Sequence, residues 1–117
     1  MSNRFADAPA IEAEQQRIRQ MVDRALSERE WQAELVRTAE AAGWWCWHDA
    51  DSRRNKAGLP DLIAIRGPRL LFIEVKAERG TLRPAQVEFF NRLRGVTGVE
   101  FYVFRPSDRA WARKVLE

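Results

Sequence analysis

Sulfur and imidazole are nearly absent from this chain, whose 117 residues include one cysteine, Cys46, and one histidine, His48. A single thiol excludes an internal disulfide framework and a cysteine-based zinc site. One imidazole among oxygen donors is a poor partner for a hard cation, so His48 reads as a strand-end residue without a metal role. No apolar run approaches the roughly 20 residues that a membrane-spanning helix needs. The opening stretch, MSNRFADAPAIEAEQQ, has neither the basic nor the apolar region of a secretory leader. Internal repeats and low-complexity tracts are missing as well. Together these absences predict a reducing, cytoplasmic setting with no membrane partner.

The rest is ordinary for a folded domain, with 45% hydrophobic and 32% charged residues in a length that holds one modest core. The formal net charge is +3 and the isoelectric point about 9.6. Arginine greatly outnumbers lysine. That balance is compatible with a bidentate grip on phosphate, although many proteins with no nucleic-acid role share it.

Residues 1–9 read as a frayed lead. Residues 10–26 read as a charged helix whose partial apolar stripe of Ile11, Ile18, Met21, Val22 and Leu26 would pack on the domain or on a partner. Ser27 with Glu30 makes a capping box. It opens a helix that runs to about Ala42 and stops at Gly43 in the left-handed conformation. At about 100° per residue, Trp31, Leu35, Thr38, Ala39 and Ala42 share one face. Glu28 and Gln32 fall in that stripe, whereas Glu30, Glu34 and Arg37 point to the opposite side. Strands are expected at 44–48 (WWCWH), 62–66 (LIAIR), 70–76 (LLFIEVK) and 99–105 (VEFYVFR), the second and third joined as a hairpin through Gly67-Pro68. Pro84 opens a helix that ends near Gly95. A short helix at 107–116 follows, capped by Ser107 or Asp108. The order α-α-β-β-β-α-β-α predicts an α/β fold (mixed α+β), with a central mixed sheet of about four strands flanked by helices.

Three charges inside the expected hairpin need a reason, because charge in a sheet is costly unless it is paired or binds something. Strand alternation puts Glu74 and Lys76 on one face. Folding about Gly67-Pro68 brings Asp61, at the mouth of the second strand, to the same end. Two carboxylates and an ammonium then converge beside the polar 49–58 loop. Such a group suits metal-assisted hydrolysis of a phosphodiester. Carboxylate oxygens hold Mg2+ with several waters retained, the metal polarises the phosphoryl oxygen and promotes a hydroxide nucleophile, and the lysine stabilises developing charge or helps deprotonate the water. The backbone carbonyl of Val75 is a further candidate ligand. The plain alternative is a surface salt bridge between Lys76 and Asp61 or Glu74, which an E-x-K step alone would favour. A Pro-Asp step opening one strand, with E-x-K thirteen to fifteen residues later, is more specific.

Pro60-Asp61 with Glu74-Val75-Lys76 resembles the PD-(D/E)xK nuclease signature. The stretch from Ser27 to Asp108 is similar to the VRR-NUC family, virus-type replication-repair nucleases related to Holliday-junction resolvases. The matching pieces are GW (43–44), the HDADSRR loop, GLPDLI, FIEVK, LRPAQ and YVFRPSD. The resemblance implies a restriction-endonuclease-like core, with 27–117 as the nuclease domain and 1–26 as an N-terminal extension and helix. It implies a Mg2+- or Mn2+-dependent endonuclease acting on branched, flapped or junction DNA in phage or bacterial replication and repair, and it makes a homodimer attractive. Asp61 and Glu74 become the metal ligands and Lys76 the catalytic lysine. Gln86 corresponds to a glutamine often found in the helix after the core strands. It lies one turn from Phe90 and should lean toward the site, the alternative being a buried amide that bonds a loop carbonyl.

In related resolvases a glutamate eleven residues before the helix-ending glycine completes the metal site. Here that position is Gln32, a weaker ligand. Glu28, one turn earlier on the same face, is the nearest carboxylate able to substitute. Both rank ahead of the outward-facing Glu30. His48, with Ser52, Arg53, Arg54 and Lys56 of the 49–58 loop, is expected along the approach of DNA, Ser52 bonding a backbone oxygen near the scissile bond, or the loop is simply solvated and His48 has no role. Trp44, Trp45, Trp47, Phe89, Phe90 and Trp111 read as core and packing residues rather than base-stacking platforms. Trp45 or Trp47 would be exposed unless the sheet is covered twice. Two other function classes stay open: a DNA-structure-binding module with a degenerate site, to which Gln32 points, and an interaction protein built on the 10–26 helix.

Overall fold

Helix α2 (Glu28–Ala41) starts where its capping residues predict. In this computed structural model, which describes residues 8–48 and 56–117, the Glu30 amide donates to Ser27 Oγ at 3.0 Å and the Ser27 amide donates to Glu30 Oε1 at 3.1 Å. The reciprocal pair satisfies two amides that a helix start leaves open. Gly43 ends the segment with a φ of +88°, the left-handed value expected there. The repeat of Trp31, Leu35 and Ala39 is buried.

Strands β1 (Trp45–His48), β2 (Leu62–Arg66), β3 (Arg69–Val75) and β4 (Val99–Phe104) form one sheet in that order. All neighbours are antiparallel except the parallel β3–β4 pair, so the sheet is mixed as expected. Pairing Leu62 with Ile73 and Val75 with Phe104 sets one apolar face of Leu62, Ala64, Leu71, Ile73, Val75 and Phe104. Helices α2 and α4 (Arg109–Leu116) cover that face. Two indoles lock the layer: Trp31 Nε1 donates to the Phe104 carbonyl and Trp44 Nε1 to the Leu116 carbonyl, each at 2.9 Å. A buried donor left without such a partner would cost about 1–3 kcal/mol.

Helix α3 (Pro84–Leu93) packs on the opposite face, where the Phe89 ring meets Phe72 at 5.9 Å and Phe90 stacks on Phe101 at 5.1 Å. Its cover lies on β3 and β4. Trp45 and Trp47, two residues apart and therefore on one face, are 61% and 38% exposed, so both tryptophans stand outside the core. Trp111 is also half-exposed, with its edge against Tyr102 and Phe104.

The last helix departs from expectation. Pro106–Asp108 form a tight 3-10 turn before α4 begins at Arg109. Asp108 accepts the Arg105 amide at 2.9 Å and closes that turn, making no side-chain bond to α4. The Ser107 amide donates to Glu78. Pro106, with its fixed φ, starts the turn early and shifts the capping upstream.

Helix α1 (Ala8–Ala25) packs through its polar side. Asp23 is its buried residue and accepts from Arg109 Nη1 at 3.1 Å, while the same guanidinium also binds Glu34. Glu34 therefore points not to open solvent but into a bridge between three helices. Ile11, Ile18, Met21 and Val22 are all more than half exposed. Among the described residues no helix is long and apolar enough to cross a membrane.

Candidate active site

Strand β2 begins at Leu62 opposite Ile73, so β3 runs past its antiparallel partner. The Val75 amide, which meets no β2 residue there, donates to Asp61 Oδ2 at 3.1 Å. A strand residue's N–H and C=O point to the same side, so the Val75 carbonyl is directed at the same gap. Asp61 follows a buried Pro60 and, three residues back, Gly58. Gly58 has φ +94°, and a Cβ there would lie 2.4 Å from the Ala85 carbonyl oxygen. Only glycine combines that conformation with that approach. In the sequence Gly58 is one loop residue among many, and the signal for it is the Gly-Leu-Pro-Asp run.

Glu74 and Lys76 are 1% and 6% exposed, and Lys76 Nζ lies 3.8 Å from Glu74 Oε1. A surface salt bridge does not describe this pair. The Lys76 backbone amide extends the β3–β4 ladder by donating to the Phe104 carbonyl at 3.1 Å, which fixes the side chain's direction. Glu74 Oε2 is buried and has no hydrogen-bond partner among the described residues. Burial first, and then the neighbouring, like-charged Asp61 carboxylate, push Glu74 up to about 9, with the Glu28 charge adding to the rise. Lys76 acts in the opposite direction without offsetting them. Loss of hydration therefore outweighs the nearby ammonium. At neutral pH Glu74 holds a proton unless positive charge is supplied.

That electrostatic shortage is the test of whether a cation fits. Two crowded carboxylates, one orphaned buried oxygen and the Val75 carbonyl are hard donors of the kind Mg2+ and Mn2+ take. Among the described residues no three His, Cys, Asp or Glu groups gather as a ready ligand set. Neutral oxygens and water would fill the other positions, as Mg2+ commonly accepts.

Other expected residues lie around this centre. Glu28 and Gln32 line an open cleft of about 680 Å3 beside α2, together with Arg37 and His48. Glu28 reaches Glu74 through its charge. Among the described residues neither Glu28 nor Gln32 hydrogen-bonds to Asp61, Glu74 or Lys76. His48 ends β1 opposite Leu62 and is exposed. Gln86 is buried in the first turn of α3, and its Oε1 accepts the Arg83 amide at 2.8 Å. It therefore takes a backbone proton instead of donating to a loop carbonyl, within the helix start on which Gly58 presses. Lys56 is exposed. Ser52, Arg53 and Arg54 lie outside the described residues.

The profile of the VRR-NUC domain matches residues 4–108. A UPF0102 protein of Bartonella quintana (strain Toulouse) is 39% identical over 82 residues, which cover 64% of this chain and 66% of the relative. A UPF0102 protein of Bartonella henselae is likewise 39% identical over 82 residues, covering 64% of each chain. The chain thus spans just under two thirds of the length of these curated relatives. No solved structure matches it.

Proposed function

The chain belongs to the VRR-NUC family, and from that premise we propose that it is a metal-dependent endonuclease that hydrolyses phosphodiester bonds in branched, flapped or junction DNA. The observation that carries this reading is the buried Glu74 Oε2, which has no hydrogen-bond partner among the described residues, beside Asp61, with Lys76 Nζ 3.8 Å from the other Glu74 oxygen. Asp61, Glu74 and the Val75 carbonyl would hold Mg2+ or Mn2+, with Glu28 or Gln32 reached through water. A divalent cation bound there supplies a Lewis acid for the phosphoryl oxygen and acidifies nearby water.

The chain's own residues do the rest. The Val75 amide fixes Asp61 in one rotamer, so its free oxygen is aimed before substrate arrives. With a cation held there, Glu74 would release its proton to solvent and serve as a carboxylate ligand. Lys76, buried and backbone-anchored, places a positive charge where the phosphoryl oxygens gain negative charge. Gln86 caps the α3 start, whose Ala85 carbonyl lies against Gly58. Lys56, with Ser52, Arg53 and Arg54, supplies backbone contacts on the approach. A homodimer, built on the outward apolar stripe of α1, would present two such sites to a symmetric junction.

Asp61→Ala, Glu74→Ala and Lys76→Ala are each expected to abolish Mg2+- or Mn2+-dependent cleavage of labelled junction, flap and duplex DNA while retaining the native circular dichroism spectrum. Full activity in any one of the three would sink the assignment. The second reading is a DNA-structure-binding module without cleavage, favoured by Gln32 at a carboxylate position and by the lack of a third acidic ligand among the described residues. Tight binding to junctions with no product in either metal would establish it.

A further inference from the structure

Helix α1 turns its polar side to the body, so hydrophobic burial does not explain where it sits. Between it and the Pro106–Asp108 turn with α4 lies an open groove of about 520 Å3. Arg19, Asp23 and Arg24 wall one side, and Glu78, Arg109 and Arg113 the other. Arg109 is engaged by Asp23 and Glu34. Glu78 accepts the Ser107 amide at 2.9 Å. Among the described residues no carboxylate stands within ion-pair distance of Arg19, Arg24 or Arg113. Among the described residues, three guanidinium groups thus line a groove in which one carboxylate, Glu78, is not met by an arginine, with Arg19 Nε also donating to the Gln15 carbonyl at 3.5 Å.

The groove opens at the end of the sheet that carries the candidate active site. Strands β3 and β4 are parallel and leave the sheet together. Glu78 follows Lys76 by two residues, and Pro106 follows Phe104, whose carbonyl holds the Lys76 amide. From Arg19 to Arg24 the α1 axis advances about 7.5 Å, so these side chains meet successive positions along a chain of anions rather than one ion.

Resting on the nuclease reading, we propose that this groove binds the phosphodiester backbone of a DNA strand as it enters or leaves the Asp61–Glu74–Lys76 site, with Arg19, Arg24 and Arg113 on the phosphates. Arginine suits the task, since its planar fork grips phosphate bidentately. Helix α1 is then part of the substrate surface, held out from the core by the Asp23–Arg109–Glu34 bridge.

The test is fluorescence anisotropy with labelled duplex and flap DNA across a salt series in EDTA, using the full chain. Each phosphate neutralised on duplex DNA contributes about 0.9 to the slope of log K against log salt. Arg24→Ala/Arg113→Ala is expected to lower that slope by about 2 and to weaken binding tenfold or more. The charge-retaining Arg24→Lys/Arg113→Lys should keep the slope, and Arg92→Ala on α3 should change nothing. Should the double variant melt, each single alanine variant is expected to lower the slope by about 1. An unchanged slope overturns the groove, as does a wild-type protein that binds no DNA. Cleavage run in parallel separates the two readings. Binding with the expected slope changes but no cutting by wild type removes the nuclease and leaves the groove. Wild-type binding and cutting by the double variant removes the groove alone.

Discussion

Glu74 is the residue whose chemistry depends most on where the fold puts it. Its carboxyl is raised from an ordinary 4.5 to about 9 by burial and by Asp61. The folded state therefore binds this proton more tightly than the unfolded chain between those limits. Its contribution to stability is fully present below about 4.5 and is lost as pH rises toward about 9. In EDTA, the unfolding free energy of wild type, and with it the melting temperature, should fall with rising pH relative to Glu74→Gln, the free energy by at most about 1.4 kcal/mol per pH unit. Parallel melting curves for the two proteins would contradict the protonated, buried carboxyl. The sequence pattern Pro-Asp with E-x-K identified the three charged groups, because strand alternation and one tight turn determine which side chains share a face. It did not reveal that desolvation would dominate over Lys76, because hydration depends on every element packed around the site.

At the scale of elements, most of the local chemistry is legible in the sequence. The Ser27–Glu30 box, the Gly43 stop and the Gly67-Pro68 turn each involve residues within a few positions, and the structure shows each in place. The Pro106–Asp108 turn and the Glu34 bridge were not legible, since one depends on a proline resetting a helix start and the other on an arginine far along the chain. Gly58 belongs with these long-range determinants. Gly58→Ala is expected to destabilise by about 1–3 kcal/mol and to reduce cleavage by displacing Asp61. Gly67→Ala is the control: its φ of +56° is also left-handed, but a Cβ there meets nothing within 4 Å. Chemical denaturation should show the larger loss at Gly58. Equal losses would mean that the Ala85 contact relaxes freely.

For the whole molecule, the question is why a helix should show its apolar stripe to solvent. Ile11, Ile18 and Val22 recur at helical spacing on the side away from Asp23. A second copy of the chain laid against that stripe would bury it, and the inward polar side would stay free for the groove. Light scattering after size exclusion is expected to give a dimer for wild type and a monomer for Ile18→Asp/Val22→Asp. A monomeric wild type at high concentration would argue against symmetric junction cutting.

The sequence by itself determined the order of elements, the mixed sheet and the convergence of Asp61, Glu74 and Lys76, because periodicity, capping and turn chemistry act over short distances along the chain. Tertiary structure alone decided that Glu74 is buried with an oxygen that no described residue partners, that Gly58 abuts Ala85, that both Trp45 and Trp47 stand outside the core, and that α1 packs with its polar side inward. Those outcomes depend on burial and charge balance, which arise only when residues distant in sequence meet.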